Sequence, residues 1–472
     1  MSLFGKSDEE KAKEFAEKAK NSPKEARSQT DEMAKLLDDK DENVRNNATI
    51  ALGNVGEEFP GSVKPYVSNM VSLLDDENEH VRNNAAWALG NVGLEFPEAV
   101  KPYVSDFAPL LDDENEDVRW NAAFALGNVG LEFPKSVKPY VSNMVSLLDD
   151  EYENVRKNAA WALAKVAWEF PESVKPYVSN LAPLLDDEDD DVRLHAVWAL
   201  RKVAEDFPEK VKPYTSDLMT LLNDEFTGVR DGSAQALIEV AEDFPEDVKP
   251  YISELASSLE DEDEYVRRDA ALALALIANE FPEKMVPYTS DLVALLEDEN
   301  EYVRRNVTKA LVKITEEFPE KVKPYISDLE SLLNDQNVSV QADATTAIAQ
   351  IAEEFPEKVK PYVTDLASFL DDEDKYIRVN ATRALALIAE EFPEKVKPFT
   401  SDLAVLLEDQ YVRGNATRAL ALIAEEFPEK VKPFTSDLES LQDDQNFSVQ
   451  ADATLALAKI AEEFPEIVKG KE

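Results

Sequence analysis

From Gly61 to Leu74 the apolar residues Val63, Tyr66, Val67, Met70, Val71 and Leu74 return at spacings of three and four, which predicts an amphipathic helix. Pro65 either kinks this helix near its start or begins its regular part, because proline lacks the N–H that an interior position must donate. An acidic turn, Asp75 to Glu79, leads to a second helix over His80 to Glu95. Its apolar stripe is Val81, Ala85, Ala88, Leu89 and Val92, and Phe96-Pro97 ends it.

The pattern then repeats. Phe-Pro ends at Pro60, Pro97, Pro134, Pro171, Pro208, Pro245, Pro282, Pro319, Pro356, Pro393, Pro428 and Pro465, in steps of 37 residues except the 35 between Pro393 and Pro428. A further step back from Pro60 reaches Pro23. Two helices joined by so short a turn pack against each other, and one pair cannot bury both its faces, so pairs must stack. The expected architecture is an all-α solenoid of twelve two-helix units. Residues 1–22 read as an N-terminal capping helix with Phe15, Ala16 and Ala19 on its apolar side, 23–465 as a single solenoid and 466–472 as a tail. Asn380 to Leu403 and Asn415 to Leu438 are identical, as a recent duplication would leave them.

Leu-Leu-Asp-Asp, a polar turn, Val-Arg, Asn-Ala-Ala and Ala-Leu, with proline in the first helix, resemble HEAT repeats. That resemblance implies a right-handed superhelix with a ladder of turn Asp and helix Arg six residues on, here Asp39/Arg45, Asp76/Arg82, Asp113/Arg119, Asp150/Arg156, Asp187/Arg193, Asp224/Arg230, Asp261/Arg267, Asp298/Arg304 and Asp372/Arg378. Each Asp is expected to cap a helix while pairing with Arg. Gln341, Gln450 and the shortened unit at Asp409/Arg413 should weaken the ladder.

Composition narrows the chemistry. Lys plus Arg total 50 against 98 Asp plus Glu, a net charge of −48, which repels nucleic acid and anionic membranes. No cysteine and two histidines, His80 and His195, leave little for thiol, imidazole or metal catalysis. We expect no enzyme activity, no cofactor and no structural metal; weak cation binding is conceivable at acidic turns such as Asp186 to Asp191. No apolar run is long enough for a membrane helix and no secretory leader opens the chain, so a monomeric cytoplasmic protein is expected. Acidity without cysteine fits a salty cytoplasm, though lysine outnumbers arginine.

The remaining signal is a departure from the repeat. All five tryptophans fall between Trp87 and Trp198 on second helices. The column Trp87, Phe124, Trp161, Trp198 is aromatic only there, Trp120 and Trp168 flank it, and Leu94, Leu131 and Trp168 stand among glutamates elsewhere. Clustered aromatics on a wet face point to an interaction site, with Ala86, Gly90, Ala123, Gly127 and Ala160 leaving troughs between rings. The alternative is that the rings pack against neighbouring second helices. Trp87 with Asn91 and Phe124 with Asn128 further resemble the groove-lining helix of armadillo repeats in importin-alpha. That resemblance implies an extended basic or mixed peptide, its backbone held by the Asn amides and its lysine stems between the rings. Trp161 and Trp198 meet Lys165 and Lys202 in place of Asn. The expected groove is therefore Trp87, Asn91, Leu94, Trp120, Phe124, Asn128, Leu131, Trp161, Trp168 and Trp198, on a scaffold that binds protein; the other reading is an acidic spacer with no groove ligand.

Overall fold

A computed structural model describes residues 6–465, so the expected tail at 466–472 lies outside the described residues. The chain divides into two compact units, Met1–Asp247 and Val248–Glu472. In the first, α1 (Asp8–Asn21) is followed by six long second helices: α2 (Glu42–Glu58), α3 (Glu79–Glu95), α4 (Glu116–Glu132), α5 (Glu153–Glu169), α6 (Asp190–Asp206) and α7 (Thr227–Asp243). The second unit holds α8 (Glu264–Glu280), α9 (Glu301–Glu317), α10 (Val338–Glu354), α11 (Lys375–Glu391), α12 (Arg413–Glu426) and α13 (Phe447–Glu463). Within each unit every long helix packs on the next, and α1 packs on α2.

The cap behaves as its sequence requires. Ser7 closes a capping box with Glu10 at the start of α1, and Ala12, Phe15, Ala16 and Ala19 are buried. Each Phe-Pro joint from Pro60 to Pro428 ends one helix and opens the next with proline at its first position, where no N–H is needed. The first helices are more broken than their periodicity predicts. Gly61 to Leu74 contains helical turns Pro60–Val63 and Val67–Val71 separated by a 3₁₀ turn, Lys64–Tyr66. Pro65 is the cause, since its ring clashes with the preceding turn and it donates no bond. The apolar faces still bury as expected: Val63, Met70, Val81, Ala85, Ala88, Leu89 and Val92 are all sealed from water.

The Asp and Arg of the repeat form a ladder, but across units. Arg82 Nη1 donates to the backbone carbonyl of Asp76, six residues earlier, at 2.8 Å. Its other edge grips the carboxylate of Asp113 in the next unit, Nε at 2.7 Å and Nη2 at 3.0 Å. The same rung recurs from Arg45 to Asp76, Arg119 to Asp150, Arg156 to Asp187 and Arg193 to Asp224, and in the second unit from Arg267 to Asp298 and Arg304 to Asp335. The expected capping role moves two residues along. Asp76 Oδ1 accepts the N–H of Asn78, and it is Asn78 that caps α3 by accepting from His80 N at 2.9 Å. In the shortened unit the ladder survives, as Arg378 reaches Asp409 and Arg413 reaches Asp444 at 3.0 Å. Position 341 is glutamine, so it sends no guanidinium to Asp372. Gln450 keeps only the backbone half, donating to the Asp444 carbonyl at 2.5 Å.

A second joint uses lysine. Lys64, Lys101, Lys138, Lys175 and Lys212 each place an ammonium over the phenylalanine of the following Phe-Pro, for example 4.3 Å from the Phe96 ring and 3.7 Å from the Phe207 ring. In the second unit Lys249, Lys323, Lys360, Lys397 and Lys432 do the same.

The third joint is steric. A Cβ built on Gly53 would stand 2.3 Å from the Trp87 ring, on Gly90 2.7 Å from the Phe124 ring, and on Gly127 2.1 Å from the Trp161 ring. Each glycine lies 34 residues before its ring and gives it a seat on the preceding helix. Other glycines of the same helices, Gly93 and Gly130, would meet nothing closer than 3.7 and 3.8 Å.

Three predictions follow from these joints. Arg119→Gln should cost about 1.5–3 kcal/mol in urea unfolding, because the Asp150 carboxylate, 9% exposed, loses a charged hydrogen-bond partner. Burial pushes the Asp76 and Asp335 carboxyls up, but the bonds from Arg45 or Arg304 and from a backbone N–H outweigh it and hold both below the usual range. A depressed carboxyl contributes stability above its unfolded value, so the urea midpoint should hold at neutral pH and decline as pH falls through and below about 4; a midpoint flat down to pH 2 would refute the ladder's role. Finally, Gly127→Ala should destabilise by about 1–3 kcal/mol through overpacking, whereas Gly130→Ala, three residues away, should stabilise by about 0.5–1 kcal/mol through helix propensity.

Candidate functional site

The expected groove residues separate into a seated set and an exposed set. Trp87, Phe124, Trp161 and Trp198 are half-buried. The small residues between them do not leave open troughs as the sequence suggests: Gly90 and Gly127 are filled by the rings of the next helix. Phe124 and Trp161 stack with centroids 6.3 Å apart and planes 25° apart. Trp198 meets the edge of His195 at 5.6 Å. Burial lowers the His195 pKa to about 4, so this imidazole is neutral at physiological pH. Trp120 is half-buried at the start of α4.

The amides are also engaged or enclosed. Asn128 is buried and its Nδ2 donates at 3.0 Å to the carbonyl of Gly90 on the preceding helix. The bond predicted to run to a peptide backbone thus runs to the protein's own. Asn54 Nδ2 donates to the Ile50 carbonyl in the same way within its helix. Asn91 is half-buried, with a buried Nδ2 that has no hydrogen-bond partner among the described residues.

Lysines from the chain stand where the armadillo resemblance puts the lysines of a ligand. The Lys165 ammonium lies 5.9 Å from the Trp161 ring and 5.7 Å from the Trp198 ring, and burial lowers its pKa. Lys202 lies 4.0 Å from the Trp168 ring and binds both carboxylate oxygens of Glu205 at 2.7 Å. The cation seats between these rings are therefore filled from within, which the substitution of Lys for Asn already hinted.

What remains open is a stripe at the ends of three successive helices. Leu94 of α3 is 60% exposed, Leu131 of α4 is 47% and Trp168 of α5 is 63%. Each is followed by an exposed glutamate, Glu95, Glu132 or Glu169. At the acidic turn, Asp189, Asp190 and Asp191 carboxylates lie within 4.8 Å of one another. They are held by the chain: Asp189 caps α6 through Val192 N, Asp190 accepts from Asp191 N, and Asp191 pairs with Lys157. Sequence reading missed a second exposed series, Tyr265, Tyr302, Tyr376 and Tyr411, at the starts of second helices in the second unit. The signal in the sequence is the column itself, with tyrosine at 265, 302, 376 and 411.

Among the described residues no helix is long and apolar enough to cross a membrane. The family model for HEAT repeats matches residues 104–201, 143–238 and 178–275, and that for the non-SMC mitotic condensation complex subunit 1 matches 44–131 and 274–372. No curated protein matches the chain. A solved structure concerned with a phosphorylation switch that controls the interaction between cadherin and beta-catenin is similar at 15% identity and a TM-score of 0.70, over 92% of this chain and 99% of the other. An engineered protein is similar at 26% identity and a TM-score of 0.53, over 84% and 98%. A designed armadillo repeat protein shares 30% identity over 44% of this chain and 99% of its own, with a TM-score of 0.41. With its stacked helix pairs, its Asp–Arg ladder and the HEAT-repeat match over residues 104–275, the chain is HEAT/armadillo-like in its repeats and fold.

Proposed function

We propose that the chain is a non-catalytic protein-interaction scaffold, and that its first unit holds a partner along Leu94, Leu131 and Trp168. The observation that supports this reading is the register of the three. One large apolar residue per repeat stays open on three successive helices, beside an exposed glutamate each time. Apolar residues spaced this way and left in water are costly to solubility unless something covers them. The paired glutamates favour a basic or mixed protein segment over an acidic one. Trp168 is the natural anchor, since tryptophan is enriched among residues that dominate binding energy. The half-buried rings at 87, 124, 161 and 198 act on this reading as the rigid backing of the stripe. On this proposal the protein works as a monomer in the cytoplasm and needs no cofactor.

The seated rings favour one competing reading, an acidic spacer whose aromatics only join helix to helix. The two readings differ in what surface substitutions do. Changing Leu94, Leu131 and Trp168 together to Ser should leave helicity and the thermal midpoint unchanged while abolishing capture of partners from native cytosol. Capture that survives all three changes would favour the spacer.

A further inference from the structure

The second unit carries exposed aromatics in register on the edge where its second helices begin. Tyr265 is 50% exposed, Tyr302 52%, Tyr376 61% and Tyr411 56%. They form two pairs of neighbours, α8 packing on α9 and α11 on α12, with α10 between them carrying Ser339 at this position. Carboxylates surround them, with Glu264 and Glu301 immediately before Tyr265 and Tyr302.

The chain itself shows what this row accepts. Lys375, the first residue of α11, sets its ammonium 4.8 Å from the Tyr376 ring and 5.2 Å from the Tyr411 ring of the following unit. One step of the row is thus filled by a cation lodged between two tyrosines. At the other step the position of Lys375 is taken by Glu264, whose carboxylate accepts from Asn300 at 2.9 Å. Arg268 covers Tyr265 at 5.1 Å. Over Tyr302 no lysine or arginine lies among the described residues.

We propose that the tyrosine row is a docking strip for a basic protein segment in the polyproline II conformation with a cation at every third residue. Charge and geometry select this occupant. A second acidic copy of the chain would be repelled, whereas a lysine-bearing segment finds the aromatic face of Tyr302 with Glu301 beside it. Neighbouring packed helices lie about 8–10 Å apart. A β-strand returns a side chain to the same face after about 6.6 Å, which is too short. Polyproline II rises about 3.1 Å per residue with about three residues per turn, so its like-facing side chains recur every 9.3 Å or so, which matches one helix step. Such a segment also loses little conformational freedom on docking.

The test uses fluorescein-labelled peptides of equal composition, one of five Lys-Pro-Pro repeats and one with its five lysines in a single block, titrated with the full chain by anisotropy. The periodic peptide should bind more tightly, and Tyr302→Ala should weaken it about tenfold without changing helicity. Lys375→Glu should tighten it by opening the filled step, and do so more than Lys395→Glu, which adds the same charge elsewhere. Equal affinity for both peptides, or no effect of Tyr302→Ala, would show general attraction to an acidic surface and overturn the proposal.

Discussion

One guanidinium, present in every repeat except those of Gln341 and Gln450, sets the geometry on which each stack depends. Arg82 is planar, with donors on two edges, and it uses both: one edge holds the backbone of its own turn at Asp76, the other takes the Asp113 carboxylate of the next unit. Because the same aspartate also receives an N–H of its turn, as Asp113 does from Asn115, turn shape and unit spacing are fixed by a single group. A lysine could pair with the carboxylate but could not present that second edge in the same plane. The shortened unit bears this out, since removing two residues from its turn leaves both Arg378 and Arg413 still reaching forward.

Beside this polar edge, the helix interiors are joined by complementarity of size. In the first unit the rings of Trp87, Phe124 and Trp161 each have a partner with no side chain, at Gly53, Gly90 and Gly127, while Trp198 follows Ala164 at that interval. Where the rings give way to Gln235 the seat gives way too, to Arg201. The aromatic segment is therefore a differently packed stretch of the same repeat. The stripe of Leu94, Leu131 and Trp168 emerges at its helix ends, and Lys202 of the following helix lies over the Trp168 ring there.

Much of this was legible in the chain. The Phe-Pro metre places every long helix, because proline can open a helix but not continue one, and the spacing of Asp and Arg marks the ladder. Which unit an Arg serves was not legible. The six-residue spacing names the backbone partner, while the carboxylate partner lies 31 residues on and depends on how the stack is built. Trp87, Trp161 and Asn128 show the same limit. Outward position on a helical wheel describes one helix; a 34-residue contact to the preceding helix turns an outward ring into a half-buried one, and a 38-residue contact gives the Asn128 amide to Gly90. The pairing of Trp87, Phe124 and Trp161 with a glycine at that interval was present in the sequence all along, as was the tyrosine column of the second unit.

The lysine laid over ten of the twelve Phe-Pro rings, with Arg27 over Phe59 and Val286 in that position before Phe318, has an evolutionary consequence. Ten lysines serve this joint, from Lys64 to Lys432, and each is copied whenever a unit is duplicated. A lineage under selection for a more acidic surface can add carboxylates freely but cannot shed these lysines without loosening its repeats. The protein's cation content is thereby tied to its length, and its acidity can grow only by accretion on the faces the joint leaves free.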